Sequence, residues 1–364
     1  MRRVVIGCAA ALGVIAVLLT LPAPKRPAPV AAAAGPPTVA SVWTRATPFT
    51  IPATFPDGSA YTPTYVLDST TSVGVVASAD GQHTDLSLVP ASGTPRVLQS
   101  QSVTEGGSFD GITATDSHVY WMHTVSDAAG HAKVALWAAP RAGDGPSVQL
   151  TSDVGAPVFY GSQYDVQVVG GQLRWAAARA GRPDETELRT MPVGGGPVGV
   201  RVVPGAWALS AWPWLVTAPS ATDQPTRLHN VDTGADVPVR APPNKQVTCS
   251  PTWCRMIPDN AASPTETDLI RPDGTDQRVI GDATAAAIAS DVALRDRFEV
   301  LMTQVTTAGQ LAVSTLSLYD IAAKRTVQVD RAATNAGARG DFLWWSTGDN
   351  ETLTWHALDL RTLA

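Results

Sequence analysis

From Ser59 onward the chain repeats one arrangement of apolar and polar positions: an alternating apolar run, a short polar turn, a second such run, and a turn carrying Gly or Asp. Alternation with a period of two is what a half-buried β-strand imposes on a sequence, because successive side chains point to opposite faces. The clearest unit begins with Ile112-Thr113-Ala114-Thr115, turns at Asp116-Ser117, and continues as His118-Val119-Tyr120-Trp121-Met122. A polar loop through Gly130 leads to Lys133-Val134-Ala135-Leu136-Trp137-Ala138, and a loop at Ala142-Gly143-Asp144-Gly145 leads to Val148-Gln149-Leu150. Four strands in about 45 residues is the size of one β-propeller blade.

Positions 75, 120, 174, 215, 254, 300 and 343 mark the middle of the second strand in successive units, and the steps between them are 45, 54, 41, 39, 46 and 43 residues. The blade period of such repeats is 40 to 50 residues. Third strands follow at the matching offset, from Leu86-Ser87-Leu88-Val89 and Leu136-Trp137-Ala138 through Leu188-Arg189-Thr190-Met191, Leu228-His229-Asn230-Val231, Leu269-Ile270-Arg271 and Leu316-Ser317-Leu318-Tyr319 to Leu353-Thr354-Trp355-His356-Ala357. The expected fold is all-β, a seven-bladed β-propeller following an N-terminal apolar helix, with six or eight blades as alternatives. The last unit ends at Ala364 without an outer strand, and residues 46–55 could supply it, closing the ring and leaving no open edge. The competing reading takes residues 43–55 as a linker beside six complete blades. A pair of β-sandwiches is the architectural runner-up and explains the regular spacing less well. No Pro-rich or Gly-rich linker recurs after Pro37, so residues 43–364 are read as one domain.

The first 42 residues are of a different kind. Residues 4–21 are apolar and uncharged behind Arg2-Arg3, which suits a signal peptide or a membrane anchor in residues 1–21. Residues 22–42 form a Pro/Ala-rich linker, with Ala31-Ala32-Ala33 as a small-residue cleavage site. Either reading exports the rest of the chain, secreted or tethered to the cell membrane, with membrane contact only through this segment. Cys8 ends a lipobox-like Val5-Ile6-Gly7-Cys8, but at the start of the apolar run, where it reads as a small apolar residue. All four cations before Trp43 lie here, so the remainder holds 22 cations against 32 acids, a formal net charge of −10. A surface of that sign repels phosphate backbones and argues against nucleic acid as a partner.

The unit Val119-Tyr120-Trp121, Val134-Ala135-Leu136-Trp137 and Val148-Gln149-Leu150-Thr151-Ser152-Asp153, taken with the export segment, resembles the exported TolB-like, WD-like β-propeller proteins of actinobacteria. Blades of that type carry a Ser-Pro-Asp-Gly turn, of which Ser78-Ala79-Asp80-Gly81 is the echo here. The resemblance implies a binding or scaffold function and transfers no catalytic residue.

Cys249 and Cys254, in Cys249-Ser250-Pro251-Thr252-Trp253-Cys254, lie at the end of one strand signal and the start of the next, and in an exported protein they read as a disulfide clipping a hairpin. A metal site would need two more ligands. His83, His118, His123, His131, His229 and His356 have no metal spacing, and His118 and His123, five apart on a strand, point to opposite faces. No Gly-x-Ser-x-Gly elbow occurs. Gly194-Gly195-Gly196-Pro197-Val198-Gly199 matches a dinucleotide-binding pattern but leads into a strand, which makes it a hairpin turn. Arg339-Gly340-Asp341 and Asn350-Glu351-Thr352 are chance tripeptides at this length. Most of the eleven tryptophans, such as Trp121, Trp175 and Trp344, sit at repeat-equivalent strand positions where packing between blades buries them. Trp207, Trp212 and Trp214 cluster around Pro213 and are the candidate ligand-binding aromatics, with burial between blades as the competing reading. No catalytic residue, metal ligand or cofactor is assigned. The sequence is read as a non-enzymatic module or scaffold of the cell envelope that binds a protein, peptide or glycan. The alternative is an extracellular hydrolase or lyase with a site in the propeller channel.

Overall fold

The computed structural model describes residues 35–364 except 128, 219–224, 243, 259–265, 282–283, 289–290, 306–312 and 350. The expectations for the signal or anchor segment, Cys8, most of the linker and Asn350 lie outside the described residues. Among the described residues no helix is long and apolar enough to cross a membrane.

Each run of alternating positions becomes a strand of a local antiparallel meander. The first sheet orders Ala60–Asp68, Thr71–Ala77, His83–Pro90 and Arg96–Ser102, and the second Gly107–Ala114, His118–Ser126, Ala132–Pro140 and Val148–Thr151. In the third, Ala156–Pro157 and Val166–Val169 both pair with Gln172–Arg179, followed by Arg182–Pro192 and Gly199–Pro204. The fourth comprises Trp207–Leu209, Trp214–Thr217, Arg227–Asn230 and Asp236–Pro238, and the fifth Lys245–Cys249, Cys254–Pro258, Thr267–Ile270 and Arg278–Gly281. The last sheet runs through Ala285–Ala287, Phe298–Val305, Val313–Asp320, Arg325–Arg339, Phe342–Thr347 and Thr354–Asp359 and finishes with Phe49–Ile51 from the opposite end of the chain. Its long strand Arg325–Arg339 serves twice: residues 325–333 face Val313–Asp320, and residues 333–339 face Phe342–Thr347. Every marker and every third-strand signal read from the sequence falls on a strand in the expected place, and the Gly194–Gly199 pattern forms the turn before Gly199–Pro204.

The apolar faces meet between consecutive sheets. Val73, Leu86, Val119 and Trp121 join the first two sheets, and Met122, Leu136, Leu173 and Trp175 the next two. The succession continues through Leu188 with Leu215, Met256 with Val216, and Leu269 with Leu301. The two halves of the last sheet pack on each other through Val300, Leu318, Leu343 and Leu358. Finally Phe342, Trp344 and Trp355 pack on Tyr61, Val66 and Val76 of the first sheet, so the order returns to its start. Meandering antiparallel sheets packed in sequence order and closed first to last are a β-propeller. The closing strand sets Phe49 opposite Ala357, Thr50 opposite His356 and Ile51 opposite Trp355, so residues 46–55 do supply the outer strand expected of them.

Packed structure starts earlier than residue 43. A helical turn, Val39–Val42, lies on the last sheet and buries Val39 and Trp43 against it, while the Gln328 N–H donates to the Pro37 carbonyl at 2.8 Å. The apolar Val39 and Trp43 belong to the core, although the sequence before them is rich in Pro and Ala.

Candidate functional site

The third sheet holds the departure from the repeat. Residues 159–165 leave the inner edge between Ala156–Pro157 and Val166–Val169 and fold over onto other sheets. Asp165 fixes the shape of this segment by accepting the backbone N–H groups of Tyr160 and Gly161, each at 2.8 Å. The Gln163 N–H then reaches the Asp291 carboxylate at 3.1 and 3.3 Å, 128 residues away in the chain. On one flank the Gln167 side chain donates to the carbonyls of Ser210 (2.7 Å) and Tyr164 (3.3 Å). On the other, the Arg339 guanidinium lies 3.5 Å from the carbonyls of Gly161 and Ile112. Gly111 makes the approach possible: its φ is +55°, and a Cβ there would stand 2.6 Å from Val166 Cγ2.

Beneath the segment is a cavity of about 10 Å³ lined by Tyr160, Ser162, Tyr164, Ser210, Ser250 and Asp291, among others. That is the room one water molecule needs. Asp291 is 5% exposed, and burial pushes its carboxyl up to about 7, with Asp165 adding to the rise and the Gln163 N–H, Arg339 and Arg255 opposing it. Burial also raises Asp165, although the Tyr160 and Gly161 N–H groups favour its ionised form. Tyr164 is raised by burial and by the charges of Asp291 and Asp296. The Ser210 hydroxyl is buried and has no hydrogen-bond partner among the described residues. The turn bearing Asp291 contains three non-glycine residues in the left-handed region, Ala293, Arg295 and Asp296. Behind it the buried Glu299 accepts the Ala293 N–H and pairs with Arg255 at 2.9 Å, and burial raises its carboxyl while Arg255 lowers it. A buried carboxyl that changes charge near neutral pH, lining the same cavity as an unbonded hydroxyl, has the chemistry of a proton donor and acceptor. Among the described residues no three His, Cys, Asp or Glu side chains converge to hold a metal ion.

Of the residues singled out in the sequence, Cys249 and Cys254 are joined as a disulfide, directly opposite each other across two paired strands. The three clustered tryptophans are not brought together in one exposed patch. Trp207 is buried between the third and fourth sheets, stacked on His229 and donating its indole N–H to the Pro204 carbonyl at 2.6 Å. Trp212 is half-buried at the same seam beneath the Arg174 guanidinium, and Trp214 is half-buried at the next seam, between the fourth and fifth sheets. His123 lies between Gln99 and Gln101, and burial lowers its pKa. Sequence reasoning missed Asp165, Asp291 and Ser210. One trace of them was present: the step of 54 between positions 120 and 174 is the longest in the series, and the segment 159–165 occupies the excess.

No family model and no curated protein matches the chain. Solved structures resemble it in fold. The β-propeller domain of the Trilobed protease from Pyrococcus furiosus is 8% identical, with 70% of this chain and 81% of that one covered and a TM-score of 0.42. A Mycobacterium tuberculosis puromycin-hydrolyzing peptidase is 14% identical over 93% of this chain and 54% of its own, with a TM-score of 0.48. TolB from Acinetobacter baumannii is 16% identical over 59% and 52%, with a TM-score of 0.37. The chain spans about half the length of the latter two. The expectation of a non-enzymatic binding module or scaffold is set aside: the solved structures matched in fold include the β-propeller domain of a protease and a puromycin-hydrolyzing peptidase. Its physical basis was the absence of linear catalytic motifs, and a site assembled from separate turns, such as that around Asp291, leaves no linear motif.

Proposed function

We propose that this chain is a peptidase-related hydrolase, a seven-bladed propeller whose site lies at the cavity under residues 159–165. The supporting observation is that Asp291 and Ser210, whose hydroxyl is unbonded, line one cavity together with Tyr160, Ser162 and Tyr164 of the segment that departs from the repeat. In this reading Asp291, ionised, takes a proton from the water that adds to an amide carbonyl and returns it to the departing amine nitrogen as the C–N bond breaks. Ser210 donates to the carbonyl oxygen as charge builds on it. A substrate enters when residues 159–165 shift, since the cavity at rest has room for only one water. The seven blades count the last sheet as two, sharing the strand Arg325–Arg339. Export to an oxidising compartment, secreted or membrane-tethered, accords with the apolar N-terminal segment and with the Cys249–Cys254 disulfide.

The test is hydrolysis of a mixture of short peptides by the full chain, read by mass spectrometry, beside Asp291→Asn and Ser210→Ala. The proposal expects cleavage, and a loss of about 10²-fold or more in kcat for Asp291→Asn. Peptides left intact by the unaltered chain, or cleaved equally by Asp291→Asn, would overturn it.

A further inference from the structure

Several shielded arginines in this protein are ion-paired. Arg189 holds Asp153 and Glu187, each at 2.7 Å, Arg297 holds Asp320 at 2.8 Å, and Arg141 holds Asp68 at 2.6 Å. Arg174 is set apart by a buried donor that nothing among the described residues satisfies. It sits half-buried in the middle of Gln172–Arg179, its Nε is buried without a hydrogen-bond partner, and among the described residues it has no carboxylate within ion-pair distance. Its guanidinium lies 4.1 Å from the centre of the Trp212 ring.

The arrangement is that of a receptor for a flat anion. The guanidinium is a planar fork of N–H donors, and the indole lies against it with its ring centre 4.1 Å away. Such a fork matches the two oxygens of a carboxylate. The buried Nε of Arg174 is left unsatisfied, a cost that an arriving acceptor would relieve. The position is specific too. Arg174 lies directly opposite Gln167, whose side chain accepts the Trp212 N–H at 3.1 Å and donates to the carbonyls of Ser210 and Tyr164, both cavity-lining residues.

We propose that Arg174 and Trp212 form a carboxylate-binding subsite beside the cavity, which takes a peptide through its C-terminal carboxylate or an acidic side chain. This rests on the hydrolase reading for its role, and it extends that reading to a substrate class. Gln167 is a positioning residue, tying the Trp212 backbone to the segment over the cavity.

The experiment is calorimetric titration of the full chain, and of its Asp291→Asn variant, with three probes: Ala-Ala-Ala-Ala as the free acid, the same peptide as its C-terminal amide, and Ala-Ala-Glu-Ala amide. The expected result is binding of the free acid at least tenfold tighter than of its amide, with that preference abolished in Arg174→Gln and reduced in Arg174→Lys, which keeps charge but not the planar fork. The third probe separates the two sources of carboxylate: binding as tight as the free acid admits side chains, and binding as weak as the plain amide restricts the subsite to the chain terminus. Equal binding of acid and amide, binding of neither, or an Arg174→Gln variant indistinguishable from the unaltered chain would overturn the proposal. Melting curves identify a variant that fails to fold, in which case Arg174→Lys and Trp212→Leu carry the test. Because binding is also read in Asp291→Asn, absence of hydrolysis would sink the function proposed above while leaving the carboxylate subsite standing.

Discussion

The indole N–H of Trp355 donates to the backbone carbonyl of Tyr61 at 2.9 Å, joining the last sheet to the first across 294 residues of chain. Both residues are buried in the seam that closes the ring, and the Tyr61 hydroxyl is itself bonded to Ser72 at 2.8 Å. Trp355→Phe keeps an aromatic ring but strands a buried carbonyl, at a cost of about 1–3 kcal/mol. A urea titration of both proteins is expected to show a lower midpoint for the variant with an unchanged slope.

Reduction of the Cys249–Cys254 disulfide frees a very short loop. The unfolded chain gains entropy worth about 2 kcal/mol at this length. Thermal melts with and without a reductant should separate by several degrees, and Cys249→Ser with Cys254→Ser should match the reduced protein.

Arg255 and Glu299 are both buried and stand 2.9 Å apart. Removing one partner leaves a charge without compensation in the interior, so Arg255→Ala is expected to lose about 3–5 kcal/mol. The paired replacement Arg255→Met with Glu299→Gln removes both charges and should recover most of that loss, as read by denaturant unfolding of single and double variants.

Asp291 gives stability a pH dependence of definite sign. The folded protein retains the Asp291 proton up to about pH 7, whereas an unfolded aspartate releases it near pH 4. Between these values the folded state binds more protons than the unfolded one, so the contribution of this group falls as pH rises from about 4 to about 7 and is flat above. Asn keeps an oxygen to accept the Gln163 N–H without the charge. Relative to Asp291→Asn, the unaltered protein is expected to lose about 2 kcal/mol or more across that window, measured by unfolding at pH 4.5, 6 and 8.

Strand positions were legible because burial of one face writes itself into local alternation. Trp121 and Trp175 could be read as core from their place in the repeat alone, and both are essentially fully buried. The pairing of Phe49–Ile51 with the final strand was readable as well, since an unfilled edge at one end and a spare apolar run at the other have one economical solution. The site was not. Asp165 and Asp291 are ordinary acids in turns, and what distinguishes them is desolvation by residues far away in sequence. Arg174 looked like any polar residue alternating in a strand between Leu173 and Trp175, and its solitude is a property of its three-dimensional neighbours. Trp207 and Trp212 are close in sequence yet meet different partners, His229 and Arg174, because the strand ends between them.

The strand Phe49–Ile51 is synthesised well before its partner Thr354–Asp359, with all the other sheets between them. While the sheets between them are translated, the growing chain therefore carries an unmatched strand whose native mate does not yet exist. Ring closure cannot be built up gradually. It waits for Thr354–Asp359, so a ribosome that stops before that strand leaves an open arc with two bare edges rather than a slightly smaller version of the same molecule.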